Sequence, residues 1–245
     1  MTLVKKFCLL ATERTGSNFF RELLSSLPKS AFFGEAFNPV FLPKRIVKLG
    51  FSLVDRDRDP LGFLAKIEST PMAPGSFFGF KLMVGHNPLI LNHVLSSADY
   101  RFIVMSRANK LAQYSSFAIA KATGRWHSHR GEDASPETKV PFDPDTFAKF
   151  VWRDSINYNN VLSRLRARTE PFCHLEYTAS RTAEQIAAVI EFVGVDPGCP
   201  ISEVIARNPC VRQNTPRIID RFTNPESVLA TMRRMGREDW LTEAS

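Results

Sequence analysis

The run Cys8-Leu9-Leu10-Ala11-Thr12-Glu13-Arg14-Thr15-Gly16-Ser17-Asn18 joins an apolar stretch to a short turn and then to a helical stretch over 19–27. A turn of this kind can hold an oxyanion. Several backbone N–H groups at a helix start have no partner within the helix, and the helix dipole favours negative charge there. Gly16 allows close backbone approach, Thr15 and Ser17 add hydroxyls, and Arg14 adds a permanent charge in a forked donor geometry suited to phosphate or sulfate. A P-loop nucleoside triphosphatase needs Gly, four residues, then Gly-Lys-Ser/Thr, and that pattern is absent. Taken alone, the same residues also describe an ordinary strand–helix turn in which Ser17 caps the helix.

A second residue with chemical consequence is Lys81, set among Phe78, Phe80, Leu82 and Val84. A Lys in such a run must reach a solvent edge or find an anion, because an unpaired buried charge is costly. The four Cys (Cys8, Cys173, Cys199, Cys210) lack metal-ligand spacing, and their usage suits a reducing compartment. No cluster points to a metal.

These residues need a scaffold, and the chain offers a regular one. Short apolar runs alternate with longer amphipathic stretches, which predicts an α/β fold: a central, mainly parallel sheet flanked by helices in three layers. Strands are expected at 6–11, 31–34, 77–84, 100–105 and 172–175, and helices at 17–27, 88–95, 110–123, 145–167, 183–193 and 225–235. In the helix over 145–167, Phe147, Phe150, Val151, Ile156, Val161 and Leu165 are spaced to share one face. The polar, Pro-bearing stretch 124–144 is read as a mobile loop, and 56–59 as a solvated turn. The whole of 1–245 is expected to form one domain.

Composition limits the partners. With 44% hydrophobic and 23% charged residues the chain has a globular composition, and its net charge of +7 favours anionic ligands. The Lys and Arg residues are dispersed, with no dense basic run to track a phosphate backbone, so a small polyanion fits better than a nucleic acid. Lys5-Lys6 before the apolar run 7–11 superficially suggests a leader, but the run is too short and no cleavage pattern follows. With no stretch of membrane-spanning length either, a cytoplasmic protein is expected.

Further along, Tyr100-Arg101-Phe102-Ile103-Val104-Met105 leads into Ser106-Arg107, and a helix carrying Ser115 follows. An Arg at a strand end with a Ser eight positions on resembles the 3′-phosphate motif of sulfotransferases that use 3′-phosphoadenosine 5′-phosphosulfate (PAPS). The turn Thr12–Ser17 resembles their 5′-phosphosulfate loop. In order along the chain, Gly34-Glu35-Ala36-Phe37, the Lys81 strand, Gln113 through Trp126, Leu175-Glu176-Tyr177, Glu191-Phe192-Val193-Gly194-Val195 and Val211-Arg212-Gln213 through Arg221-Phe222 are similar to segments of the bacterial carbohydrate branch, which contains trehalose, nodulation and lipopolysaccharide sulfotransferases. Thr178 departs from the acidic residue that often follows the Tyr. His86 stands five residues after Lys81, unlike the Lys-x-His of cytosolic animal sulfotransferases, and is assigned to the acceptor side rather than to catalysis.

The resemblance implies a P-loop-like fold and transfer of a sulfuryl group from PAPS to a hydroxyl of a carbohydrate or glycolipid. Adenosine 3′,5′-bisphosphate (PAP) is then the product, no metal is needed, and a homodimer is expected. It implies Thr12, Arg14, Thr15, Gly16, Ser17 and Asn18 at the 5′-phosphosulfate, Arg107 and Ser115 at the 3′-phosphate, and Tyr177 beside the nucleotide. Arg212 and Gln213 are expected over the 3′-phosphate or the acceptor. Glu35 is expected to be the general base, with burial raising its pKa toward a useful value, and Lys81 to lie near the sulfuryl group. Trp126, His127 and His86 fall where the acceptor would be held. The competing reading is a nucleotide-binding protein or phosphoryl transferase using the same loop.

Overall fold

The computed structural model describes residues 5–126, 130, 138–211 and 214–243. Its five strands, β1 (Lys5–Ala11), β2 (Ser30–Phe32), β3 (Phe77–Met83), β4 (Tyr100–Ser106) and β5 (Cys173–Glu176), form one sheet in the order β2-β3-β1-β4-β5. Every pairing is parallel. The helices are α1 (Ser17–Ser26), α2 (Lys44–Val47), α3 (Leu53–Arg58), α4 (Pro60–Glu68), α5 (Pro88–Ser96), α6 (Lys110–Thr123), α7 (Pro144–Arg166), α8 (Ala183–Val193), α9 (Ile201–Arg207) and α10 (Pro225–Met235). This is the expected three-layer α/β architecture.

Strands covered on both faces must be apolar on both, which is why β1, β3 and β4 read as continuous hydrophobic runs. Cys8, Leu10, Phe78, Phe80, Leu82, Phe102 and Val104 pack with residues of α4, α5 and the second half of α7. The alternate residues Phe7, Leu9, Ala11, Phe77, Ile103 and Met105 pack with α1 and α8. By the two-residue period of a strand, Lys81 belongs to this second face. A third cluster, around Tyr114, Phe147 and Phe222, joins α6, the start of α7, α10 and the turn Ile218–Arg221.

Strand order also locates the crevice. The chain leaves β1 toward one edge of the sheet, returns through β3, and crosses to β4 on the other side of β1. Loops at the C-terminal ends of these strands therefore diverge, which is where open α/β sheets bind ligands.

Several expectations need correction. The stretch 56–59 is not a solvated turn: Ser52 opens α3 with a capping box, Asp59 caps α4, and Arg56 is buried, donating to the carbonyl of Asn38. Ile156 is exposed on α7, and the buried stripe instead runs through Asp154 and Tyr158. Helices α2 and α9 are short and were not legible. In the stretch 124–144, Val140 bridges to Phe222 and Phe142 is buried, so this part is anchored in the third cluster. All four Cys are free thiols. No helix among the described residues is long and apolar enough to cross a membrane.

Candidate active site

From Ala11 the chain turns through Thr12–Gly16 into α1, with Arg14 (φ 62°) and Gly16 (φ 80°) in the left-handed region. Gly16 is required twice over, since a Cβ there would lie 2.8 Å from Cδ2 of Tyr177 as well as strain the backbone. Helix α1 starts with no side-chain cap and no acidic residue in its first turn. Its leading amides thus lack a side-chain acceptor from the cap, and its dipole presents partial positive charge at that end.

The loop is held from behind by a buried carboxylate. Asp154 of α7 accepts from the Thr12 hydroxyl at 2.5 Å, from Gln113 Nε2 at 3.1 Å and from Lys110 Nζ at 2.6 Å. Gln113 Nε2 also donates to the carbonyl of Glu13 at 2.9 Å. The Thr15 hydroxyl donates to the carbonyl of Thr12 at 3.0 Å. The hydroxyls of Thr12 and Thr15 thus brace the turn and are not presented to the cleft, contrary to the expectation that Thr15 adds a hydroxyl donor. Ser17, Gly16 and Asn18 do line it.

Across the cleft floor lies a buried ion pair. Lys81, 3% exposed, donates from Nζ to Glu35 Oε1 and to Asn18 Oδ1, each at 2.8 Å. Backbone register creates the pair: Phe33 donates to the carbonyl of Gly79, and Lys81 to that of Gly34, both at 2.7 Å, which sets Glu35 beside the end of β3. Asn38 Nδ2 donates to the other carboxylate oxygen of Glu35 at 2.8 Å. Burial by itself would raise the Glu35 pKa, as the sequence suggested. The Lys81 ammonium, with hydrogen bonds from Lys81 and Asn38, outweighs burial and holds it at about 2. Burial lowers the Lys81 pKa, and Glu35 opposes that shift.

Beside the turn, Arg107 follows β4 and is only 4% exposed. Its guanidinium stacks over the Tyr177 ring, 4.0 Å from the centroid, and its Nη1 donates to the carbonyl of Arg14 at 3.0 Å. Its remaining fork meets a carboxylate: Nε donates to Glu243 Oε1 at 2.8 Å, and Nη2 to Oε2. Ser115 does not pair with Arg107. It is fully buried, donating to the carbonyl of Ala112 and accepting from Arg221 Nη1, each at 3.0 Å. Ser116 reaches the cleft wall instead, where its hydroxyl accepts from Arg14 Nε at 2.8 Å. Burial, with Arg107 nearby, lowers the Arg14 pKa to about 10, so its charge persists at neutral pH.

These parts surround one cleft of about 560 Å³, within the range of small-molecule sites. Arg14, Arg21, Lys81, Arg107, Arg181 and Arg221 line it against Glu13, Glu35 and Glu243, so positive charge dominates. Tyr177, His86 and Trp126 also line it, with Arg14 Nη1 donating to the Trp126 carbonyl. Burial lowers the His86 pKa, against the pull of Glu35 and Glu13. His127, Arg212 and Gln213 lie outside the described residues. Among the described residues no His/Cys/Asp/Glu group could hold a metal ion.

Sequence reasoning missed Asp154, Arg221, Ser116 and Glu243. Asp154 had a signal, a carboxylate on the stripe 150, 154, 158, 161 where only apolar residues are expected. Glu243 had none.

No protein-family model and no curated protein matches the chain. Among solved structures it is similar to a sulfotransferase from Mycobacterium avium, at TM-score 0.49 and 12% identity over 96% of this chain and 76% of that one. A sulfotransferase from Alicyclobacillus acidocaldarius gives 0.46 and 12% over 98% and 99%. A mouse sulfotransferase complexed with PAP gives 0.46 and 11% over 83% of this chain, which spans 64% of the mouse protein. Likenesses this distant leave the chemistry to be read from the cleft itself.

Proposed function

We propose that the cleft binds PAPS and transfers its sulfuryl group to a hydroxyl of a carbohydrate or glycolipid. The supporting observation is that Arg14 and Arg107 line one cleft, joined by the hydrogen bond from Arg107 to the Arg14 carbonyl, with the Lys81–Glu35 pair on the floor. A ligand carrying two anionic groups, with a reacting centre near one of them, matches that layout. The similarity of the Thr12–Ser17 turn and the Arg107 segment to PAPS-dependent sulfotransferases supports the same reading.

Sulfuryl transfer asks a protein to align the acceptor oxygen, sulfur and leaving oxygen and to stabilise the charge that develops. The bond from the acceptor oxygen to sulfur forms as the bond from sulfur to the 5′-phosphate oxygen breaks. Arg14 and the first-turn amides of α1 receive the charge that accumulates on the leaving phosphate. Glu35 takes the acceptor proton. Its carboxylate is a weak base while Lys81 holds it, and anionic sulfuryl oxygens that draw the Lys81 ammonium toward themselves release it toward the higher basicity that burial favours. Trp126 at the cleft wall offers an aromatic face to a sugar.

Thermal unfolding with PAP, AMP and ATP tests the ligand, since a compound that binds only the folded state raises its melting temperature. PAP is expected to stabilise selectively, and Arg107→Ala to reduce that shift. Equal shifts with AMP would remove the 3′-phosphate site. Transfer of labelled sulfate from PAPS to trehalose, lipopolysaccharide cores and chito-oligosaccharides tests the acceptor class, and labelling of none of them would count against it.

A further inference from the structure

We infer that Glu243 is a built-in competitor for the 3′-phosphate: its carboxylate holds the guanidinium edge of Arg107 that a 3′-phosphate would take, so a ligand bearing that group must displace it and binds more weakly than the uncovered site would allow. The inference rests on the reading of the cleft as a PAPS site and goes beyond it, because it concerns a residue of the chain itself that competes with the 3′-phosphate and sets how tightly that group is held.

Three observations carry it. The first is the contact itself. Glu243 presents two oxygens to the Nε/Nη2 edge of Arg107, with both side chains 5–6% exposed. A phosphate would use that edge in the same forked way. The second is that the backbone carrying Glu243 is fixed independently of the ion pair. Glu243 N donates to the carbonyl of Pro216 at 3.0 Å, Thr242 bridges to Arg217, and Asn109 Nδ2 donates to the carbonyls of Trp240 and Thr242 at 3.1 and 3.0 Å. Displacement therefore needs only a side-chain rotation. The third is a destination. Glu243 also lines a separate cavity of about 190 Å³, whose wall includes Arg237. A carboxylate that leaves Arg107 has room on that side, where Arg237 is already paired with Asp239.

Charge gives the exchange its direction. Arg107 and Arg221 both line this end of the cleft, against the single carboxylate of Glu243. Burial and the neighbouring Arg107 both disfavour the charged Arg221 guanidinium, and Glu243 offsets this. A phosphate brings a charge of roughly −1.5 to −2 at neutral pH where the carboxylate brings one unit, so exchange relieves more of the repulsion. AMP has nothing to offer at this end and leaves the ion pair closed.

Calorimetric titration of PAP and AMP into the full chain, as wild type, Glu243→Gln and Glu243→Ala, tests the inference. With the competitor gone, PAP is expected to bind roughly tenfold tighter or more, while AMP changes by less than about twofold. The melting temperature of the ligand-free Ala variant should fall, since Arg107 loses its partner, and its shift on adding PAP should exceed that of the wild type. The Gln variant keeps the shape and hydrogen-bonding capacity and covers the case in which the Ala variant folds poorly. Unchanged or weaker PAP binding in both variants, or an equal gain for PAP and AMP, overturns the inference. PAP binding to the variants but not to the wild type supports it in its strongest form. If PAP binds none of the three, the PAPS reading itself falls and takes this inference with it.

Discussion

The cleft contains two buried ion pairs that look alike and are built differently. Lys81–Glu35 joins neighbouring parts of the sheet, with the carboxylate set by backbone hydrogen bonds from Phe33 and Lys81 and further held by Asn38. Arg107–Glu243 joins the end of β4 to a segment 136 residues later in the chain. Both place a carboxylate on a cation within reach of an anionic ligand. On the function proposed, the first carboxylate is held where it would take the acceptor proton, and the second occupies the place a 3′-phosphate would take, with space behind it. Equal geometry at a cation therefore does not imply an equal role: what separates the two is how the rest of the structure holds the acid and where the acid can go.

The contrast is broken most directly at Glu35. Glu35→Gln should lower sulfate transfer roughly 10²–10⁴-fold, the usual worth of a positioned proton acceptor. PAP-induced thermal stabilisation should persist, and retained transfer would leave Glu35 with a structural role only. At the Thr12–Gly16 turn, Gly16→Ala puts a methyl 2.8 Å from the Tyr177 ring and strains a backbone at φ 80°. We expect PAP affinity to fall by about tenfold or more, read by titration, because the amides and the Arg107-stacked ring move together.

Arg107→Lys sharpens the comparison by keeping the charge and losing the fork. PAP affinity should drop by about tenfold with AMP affinity nearly constant, since an ammonium cannot reproduce bidentate recognition. A smaller effect concerns acid stability. The folded-state pKa of Glu35 is lowered, so its pairing stabilises the protein fully above the ordinary carboxylate range, and that contribution is lost as pH falls from about 4.5 toward about 2. Unfolding curves between those limits should be less pH-dependent in Glu35→Gln than in the wild type, and parallel curves would show that the pair contributes little.

Much of the scaffold was legible because its signals are local. β1, β3 and β4 are continuous apolar runs, and α6, α8 and α10 end at Gly124, Gly194 and Gly236, each in the left-handed conformation that stops a helix. The turn into α1 was legible for the same reason, since small residues after a buried strand and before a helix restrict the backbone on their own. The stretch 44–68 was not, because its charge alternation hid two helix caps and a buried Arg56 whose partner, Asn38, lies in another loop.

The sequence by itself determined the layered sheet, the tight turn between β1 and α1 and the requirement that Lys81 reach solvent or an anion, since each follows from residues adjacent in the chain or from the cost of burying a charge. Tertiary structure decided which anion that partner is and that it lowers the Glu35 pKa despite burial. It also decided that Ser115 pairs with Arg221 and that Asp154 braces the loop from α7. Long-range electrostatics and hydrogen bonding depend on distances that strand order and helix packing set, and strand order in a parallel sheet is fixed by crossovers spanning dozens of residues. Glu243 is the extreme case: nothing near it in the chain marks it, and only the closed fold brings it to Arg107.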